Sequence, residues 1–104
     1  MTYENISPAK AKSRMDAHPE VVIFDVLRPD EFVTGHIPGA INVPLADIQD
    51  GNIPPCMADK NAVYLIYCRS GVRSVTAAVA LEKMGYTHLA NFGGILDWPY
   101  EIEH

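Results

Sequence analysis

Two short, continuous apolar runs stand out along the chain, Val21-Val22-Ile23-Phe24 and Ala62-Val63-Tyr64-Leu65-Ile66-Tyr67. Both are rich in β-branched and aromatic residues and too short for a helix of ordinary length. Each therefore predicts a strand buried on both faces. Ala40-Ile41-Asn42-Val43, closed by Pro44, and His88-Leu89-Ala90-Asn91 predict two shorter strands. Helical patterns fall between them. Ser7 and Pro8 read as an N-cap and first helical position, with helix formers continuing to about Ala17 and His18-Pro19 stopping them. Pro29-Asp30-Glu31-Phe32 places proline and acids in the first turn of a short helix, where the helix dipole favours them. Leu45 to about Ile48 predicts a single helical turn. From Arg73 to Met84, apolar Val75, Ala77, Ala78, Val79, Ala80, Leu81 and Met84 leave a narrow polar stripe around Thr76, Glu82 and Lys83. That pattern predicts a mostly buried helix, ended by Gly85. Gly35-His36-Ile37-Pro38-Gly39 is turn-like, Asp50 to Pro55 is the longest loop, and Gly93-Gly94 turns into a brief final helix through Trp98.

Alternating strand and helix signals predict an α/β domain: a central, mainly parallel sheet with helices on both faces. Sites in such sheets form at the carboxyl ends of strands. Asp25 and Cys68 both follow the strong apolar runs. With 104 residues, 48% hydrophobic and 20% charged, the chain reads as one globular domain over 1–104. A formal charge of -5 argues against a nucleic-acid or anionic-membrane partner, which would want a basic face. No basic segment followed by an apolar stretch opens the chain, and no apolar run is long enough to span a bilayer. Two cysteines without a Cys-x-x-Cys pair predict no disulfide framework and a reducing, cytoplasmic home.

Against that acidic background, Cys68-Arg69-Ser70-Gly71-Val72-Arg73-Ser74 is the chemical centre of the sequence. A cysteine in apolar surroundings is more often a small hydrophobe than a nucleophile. This one follows a strand and precedes two arginines, a glycine and a helix start, all of which favour a thiolate. Lowering a thiol pKa from about 8.5 to about 6.5 needs roughly 2.7 kcal/mol. A helix N-terminus supplies typically ~0.3–1 kcal/mol. Converging backbone N–H groups and an arginine would have to supply the rest. Loop length separates two chemistries. Cysteine phosphatases place five residues between Cys and Arg, to surround a tetrahedral phosphate. Here Arg69, Ser70, Gly71 and Val72 are the only residues between Cys68 and Arg73. The smaller loop suits a single atom on the cysteine sulfur.

Four stretches taken together resemble the single-domain rhodaneses, a family of sulfurtransferases. They are Asp25-Val26; Glu31-Phe32 followed by Gly35-His36-Ile37-Pro38-Gly39-Ala40; the Cys68–Arg73 loop; and Gly93-Gly94 with Trp98. The resemblance runs from Ser7 to Trp98. It implies a rhodanese-like α/β fold of about five strands and a thiosulfate:cyanide type of sulfur transfer through a Cys68 persulfide. It implies a cradle made by the N–H groups of Arg69, Ser70, Gly71, Val72, Arg73 and Ser74, with Arg69 and Arg73 attracting a small anionic sulfur donor. The acceptor would be cyanide, a thiol or a protein cysteine, and no metal or organic cofactor is needed. One departure is visible. The family usually has arginine directly after Asp-Val, paired with the acid that corresponds to Glu31; here Leu27 takes that place and Arg28 follows. Arg28 is expected either to swing into that role or to leave Glu31 solvated.

Asp25 is expected to support the site by capping a neighbouring loop rather than to act as acid or base, and His36 to be a hydrogen-bonded structural histidine. Cys56, beside Pro54-Pro55, reads as incidental rather than as a resolving thiol. His18, His88 and His104 share no ligand spacing, so no metal site is expected. Trp98 and Tyr100 read as packing. Two other functions share the scaffold: a cysteine phosphatase or arsenate reductase, and a non-catalytic interaction module.

Overall fold

A computed structural model of the chain describes residues 3–104. Five strands form a single sheet: β1 (Tyr3–Asn5), β2 (Val22–Asp25), β3 (Ile41–Asn42), β4 (Val63–Cys68) and β5 (His88–Gly94). Their order across the sheet is β1-β5-β4-β2-β3, and every pairing is parallel. Parallel neighbours need a crossover between them, supplied here by α1 (Pro8–Ala17), α2 (Pro29–Phe32), α3 (Leu45–Gln49) and α4 (Val72–Lys83). The parallel α/β architecture expected from the sequence is the one found.

Strand alternation divides the core. Phe24, Tyr64, Ile66, Cys68 and Leu89 pack on the face covered by α3 and α4, with Ile48, Ala77, Ala78 and Leu81. Leu65, Tyr67, Ala90 and Phe92 pack on the other face, with Ala11 from α1 and Trp98. From Tyr64 to Cys68, β4 is thus two interleaved faces, both fully buried, while Val63 at its start is exposed. Each such Leu, Ile or Phe side chain contributes about 1.5–3 kcal/mol of transfer free energy.

Local chemistry sets the element ends. Ser7 Oγ accepts from the Lys10 N–H, 3.1 Å away, and Pro8 opens α1. Gly85 follows the C-cap of α4, as expected. Three features differ from the sequence pattern. β1 was not expected; Tyr-Glu-Asn carries no apolar alternation, and it becomes a strand by pairing its backbone with the edge of β5. β5 runs on to Gly94 instead of stopping near Asn91. Finally, α4 is half-buried rather than mostly buried: Ser74, Ala77, Ala78 and Leu81 are its buried residues, while Val72 is 70% exposed. Alanine and valine fit either environment, so composition overstated the buried arc.

Candidate functional site

β4 ends in Cys68 on the α4 face of the sheet, and the chain turns at once into α4 through Arg69-Ser70-Gly71. Gly71 occupies the N-cap with φ 102°, a conformation costly for any residue with a Cβ. The turn folds back over the sulfur. The Gly71 N–H donates to Cys68 Sγ at 2.9 Å, and Ser74 Oγ lies 3.5 Å from the sulfur. Burial pushes the Cys68 thiol up. Hydrogen bonds from the Ser74 hydroxyl and from the N–H groups of Ser74, Gly71 and Ser70 together outweigh it, so the thiol lies below its ordinary range. Cys68 is fully buried, with its sulfur under the loop.

The loop is held from beneath by β5. A methyl group added to Gly94 would overlap the Arg69 carbonyl and lie 2.6 Å from Ser70 Cα. The Leu96 N–H donates to the Arg69 carbonyl at 3.2 Å, pinning the same peptide. Only a strand without a side chain at this point lets the loop sit so close.

The two arginines have different surroundings. Arg73 is forked onto Glu31, with Nη1–Oε1 at 2.7 Å and Nη2–Oε2 at 3.1 Å. The Arg73 guanidinium, with help from the Arg28 N–H, holds the Glu31 carboxyl down at about 2. Neither expectation for Arg28 therefore stands. Its side chain reaches Asp30 at 3.1 and 3.3 Å, with Glu31 Oε1 3.9 Å away, and the partner of Glu31 comes from 42 positions along the chain. A short tether from residue 28 turns its side chain outward, whereas α4 points Arg73 straight at α2. Arg69 is exposed, and among the described residues no acid pairs with it. Of the two cations expected to draw an anion, Arg69 is the free one.

Asp25 and Tyr67 are register partners in β2 and β4 and face the α1 side, away from the sulfur. Asp25 Oδ1 accepts from the Leu27 N–H at 2.7 Å, the loop-capping contact anticipated for it. Burial pushes its carboxyl up, only partly offset by the Tyr67 hydroxyl and the Leu27 N–H. The Tyr67 oxygen in turn accepts from the Ile37 N–H at 2.9 Å, tying the Gly35–Gly39 turn to β4. His36 stacks on Phe32 with ring centroids 3.9 Å apart, and its Nδ1 sits 3.1 Å from the Phe32 carbonyl. Cys68, Ser70, Gly71 and Ser74 thus come together on one side; Asp25 and His36 hold the other.

Asn91 is a site residue that the sequence pattern did not single out. It is buried in β5, and its Oδ1 accepts from Ser74 Oγ at 2.6 Å and from the Gly93 N–H at 3.1 Å. An amide inside Leu89-Ala90-Asn91-Phe92 was the available signal. Cys56 lies in a 3-10 turn before β4, exposed and at the opposite end of that strand from Cys68. No group of three potential metal ligands occurs among the described residues. No helix there is long and apolar enough to cross a membrane. A groove of about 850 Å³, lined by Tyr3, Arg14, Val21, Val63 and Leu89, lies at the amino ends of the strands and does not touch the cysteine loop.

Residues 7–100 match the rhodanese-like domain family. The thiosulfate sulfurtransferase PspE of Escherichia coli is 40% identical over 74 residues, covering 71% of this chain and 70% of that protein. The putative sulfurtransferase YtwF of Bacillus subtilis is 32% identical over 105 residues, covering 99% of this chain and 97% of its own. Among solved structures, a rhodanese-like domain protein from Staphylococcus aureus superposes with a TM-score of 0.81 at 31% identity, covering 96% of each chain.

Proposed function

The chain belongs to the rhodanese-like family, which includes the thiosulfate sulfurtransferase PspE and the putative sulfurtransferase YtwF that it resembles, and from that premise we propose that Cys68 is the nucleophile that carries a sulfane sulfur. In the first half-reaction the Cys68 thiolate attacks the outer sulfur of a donor such as thiosulfate. A new S–S bond forms, the old one breaks, and its electron pair leaves with sulfite, so the outer sulfur of the Cys68 persulfide bears the negative charge. In the second, a thiophilic acceptor attacks that outer sulfur. Cyanide would take it as thiocyanate, a thiol as a persulfide, and the electron pair of the broken bond returns to Cys68 Sγ. This is covalent catalysis in two steps, with the cysteine as nucleophile and then leaving group.

The observation that carries this reading is the small loop closed on a buried sulfur, with the Gly71 N–H at 2.9 Å from Sγ. The N–H groups of residues 69–74 would hold the outer sulfur of the persulfide. Arg69, exposed and unpaired, would meet the anionic donor. Asp25 and His36 support the site through the Leu27 and Phe32 backbone, and no step is assigned to them.

Incubation with thiosulfate, followed by intact mass measurement, tests the proposal. The wild type is expected to gain the mass of one sulfur atom, lose it to cyanide, and show no gain as Cys68→Ser. An unchanged mass with Cys68 reduced overturns it, and turnover of an aryl phosphate under those conditions would point to phosphoryl chemistry instead.

A further inference from the structure

Ser74 has one hydroxyl proton and more than one group that wants it. Asn91 Oδ1 is 2.6 Å away, the Gly71 carbonyl 3.1 Å, and Cys68 Sγ 3.5 Å. The shortest of these is a well-formed O–H···O hydrogen bond. The orientation of the Asn91 amide is fixed by its other neighbours. The Gly93 N–H can only donate, so the atom facing it must be the amide oxygen. On the other side, Asn91 Nδ2 donates to Asn5 Oδ1 at 3.0 Å. A chain of hydrogen-bonding groups thus runs inward from exposed Asn5 in β1, through buried Asn91 in β5 and buried Ser74 in α4, to the sulfur at the end of β4.

This inference rests on Cys68 being the sulfur-carrying nucleophile. We propose that Asn91 is a positioning residue which holds the Ser74 proton whenever Sγ is uncharged and releases it to Sγ whenever Sγ is a thiolate. In the thiol state sulfur is a weak acceptor, so Ser74 donates to Asn91 and its lone pair receives the S–H. Ionisation makes Sγ a strong acceptor, and the hydroxyl turns to it at the cost of the Asn91 bond. Persulfide formation moves the charge to the outer sulfur, so the proton returns to Asn91. When the acceptor removes that sulfur, Sγ leaves as a thiolate and the hydroxyl turns again. Asn91 is therefore a counterweight: it lowers the thiolate fraction of the idle protein while keeping Ser74 in place for both half-reactions. The charged groups around the sulfur are Arg73 from α4, its partner Glu31 from α2, Asp25 from the opposite face of β2, and the exposed Arg69 of the loop itself; β5 contributes the neutral amide.

A thermodynamic cycle on thiol ionisation tests this. The pH dependence of Cys68 alkylation is measured in a Cys56→Ser background for the parent, Asn91→Leu, Ser74→Ala and the double variant, with thermal melts confirming folding. Losing one competing hydrogen bond is expected to raise the ionisation constant in Asn91→Leu about fivefold, moving the midpoint down roughly 0.7 pH unit. Asn91→Leu should then have no effect where Ser74 is already alanine. A midpoint that does not move, or that moves equally with and without Ser74, overturns the proposal and leaves Asn91 as a strut between strands. If Asn91→Leu does not fold, Asn91→Asp decides. Its stronger acceptor should raise the midpoint by more in the Ser74 protein than in Ser74→Ala, and an equal rise overturns the proposal. Sulfur loading from thiosulfate is read separately by mass. A parent protein that takes up no sulfur removes Cys68 as carrier while leaving the result of the cycle intact.

Discussion

Replacing Glu31 with glutamine keeps the size of the side chain and removes the charge on which Arg73 is forked. The carboxyl is held at about 2 against an ordinary 4.5, by Arg73 first and by the Arg28 N–H second. Moving the carboxyl from 4.5 to about 2 would be worth about 3 kcal/mol at neutral pH were the pair wholly shielded from water. The side chains of Arg73 and Glu31 are 31% and 18% exposed, so solvent screens the pair and the working figure is about 1–2 kcal/mol. A depressed carboxyl stabilises the fold above its unfolded-state value and loses that contribution as pH falls through its folded-state value. The window is therefore pH 4.5 down to about 2, and less than half of the contribution remains at about pH 3. Urea denaturation of wild type and Glu31→Gln at pH 7 and pH 3 reads both numbers. The variant is expected to be less stable by about 1–2 kcal/mol at pH 7, with a gap less than half as large at pH 3. Equal stabilities at pH 7, or a gap that does not shrink in acid, would refute the assignment of this pair as a charged clamp between α2 and α4.

Two further predictions concern the loop. Gly94→Ala drives a methyl group into the Arg69–Ser70 backbone, and it is expected to abolish sulfur loading from thiosulfate while the sheet remains folded by circular dichroism. The adjacent Gly93→Ala meets no atom within 4 Å but must hold φ at 96°, so it is expected to cost about 1–2 kcal/mol of stability and to retain sulfur loading. Swapped outcomes for the two glycines would refute the assignment. Arg69→Ala removes the unpaired cation beside the loop; the KM for thiosulfate is expected to rise about fivefold at low ionic strength with kcat unchanged, and the difference to shrink in salt. A KM insensitive to the substitution would mean that the donor is drawn in by other groups.

What could be read from the sequence follows from how local each signal is. β2 and β4 announce themselves because a strand buried on both faces needs an unbroken apolar run, and Ser7-Pro8 announces α1 because capping is settled within four residues. The Cys68 loop was legible for the same reason: its sulfur, glycine and helix start are consecutive. What stayed hidden was settled by pairing across the fold. β1 is polar and exists by hydrogen bonding to the edge of β5. The choice of Glu31 for Arg73 over Arg28 depends on where α2 and α4 meet, 42 residues apart in the chain. Asn91 reads as an ordinary strand residue until α4 brings Ser74 over it.

The pairing of β4 with β5 explains why two adjacent glycines serve one cysteine. Ile66 lies opposite Asn91, but Cys68, two residues on, lies opposite Gly94, three residues on. β5 therefore contains one extra residue at Phe92-Gly93, a bulge in which Gly93 takes its positive φ. Without that residue, β5 would present its backbone to the loop one position earlier, at a point where the strand has not yet turned. With it, Asn91 keeps its place on the α4 face beneath Ser74, while Gly94 reaches the level of the sulfur and offers a surface with no side chain for the Arg69–Ser70 peptide. Gly71 closes the contact from above: a Cβ there would lie 3.3 Å from Gly93 Cα. Gly71 and Gly94, drawn from two distant segments, thus let two backbones touch, with Gly93 supplying the positive φ of the bulge between Asn91 and Gly94, and that contact is what shrinks the cradle. A loop carried on any bulkier support would stand further from Sγ and lose the 2.9 Å approach of the Gly71 N–H. The small loop inferred from counting residues between Cys68 and Arg73 is therefore only half of the device; the strand beneath it is the other half.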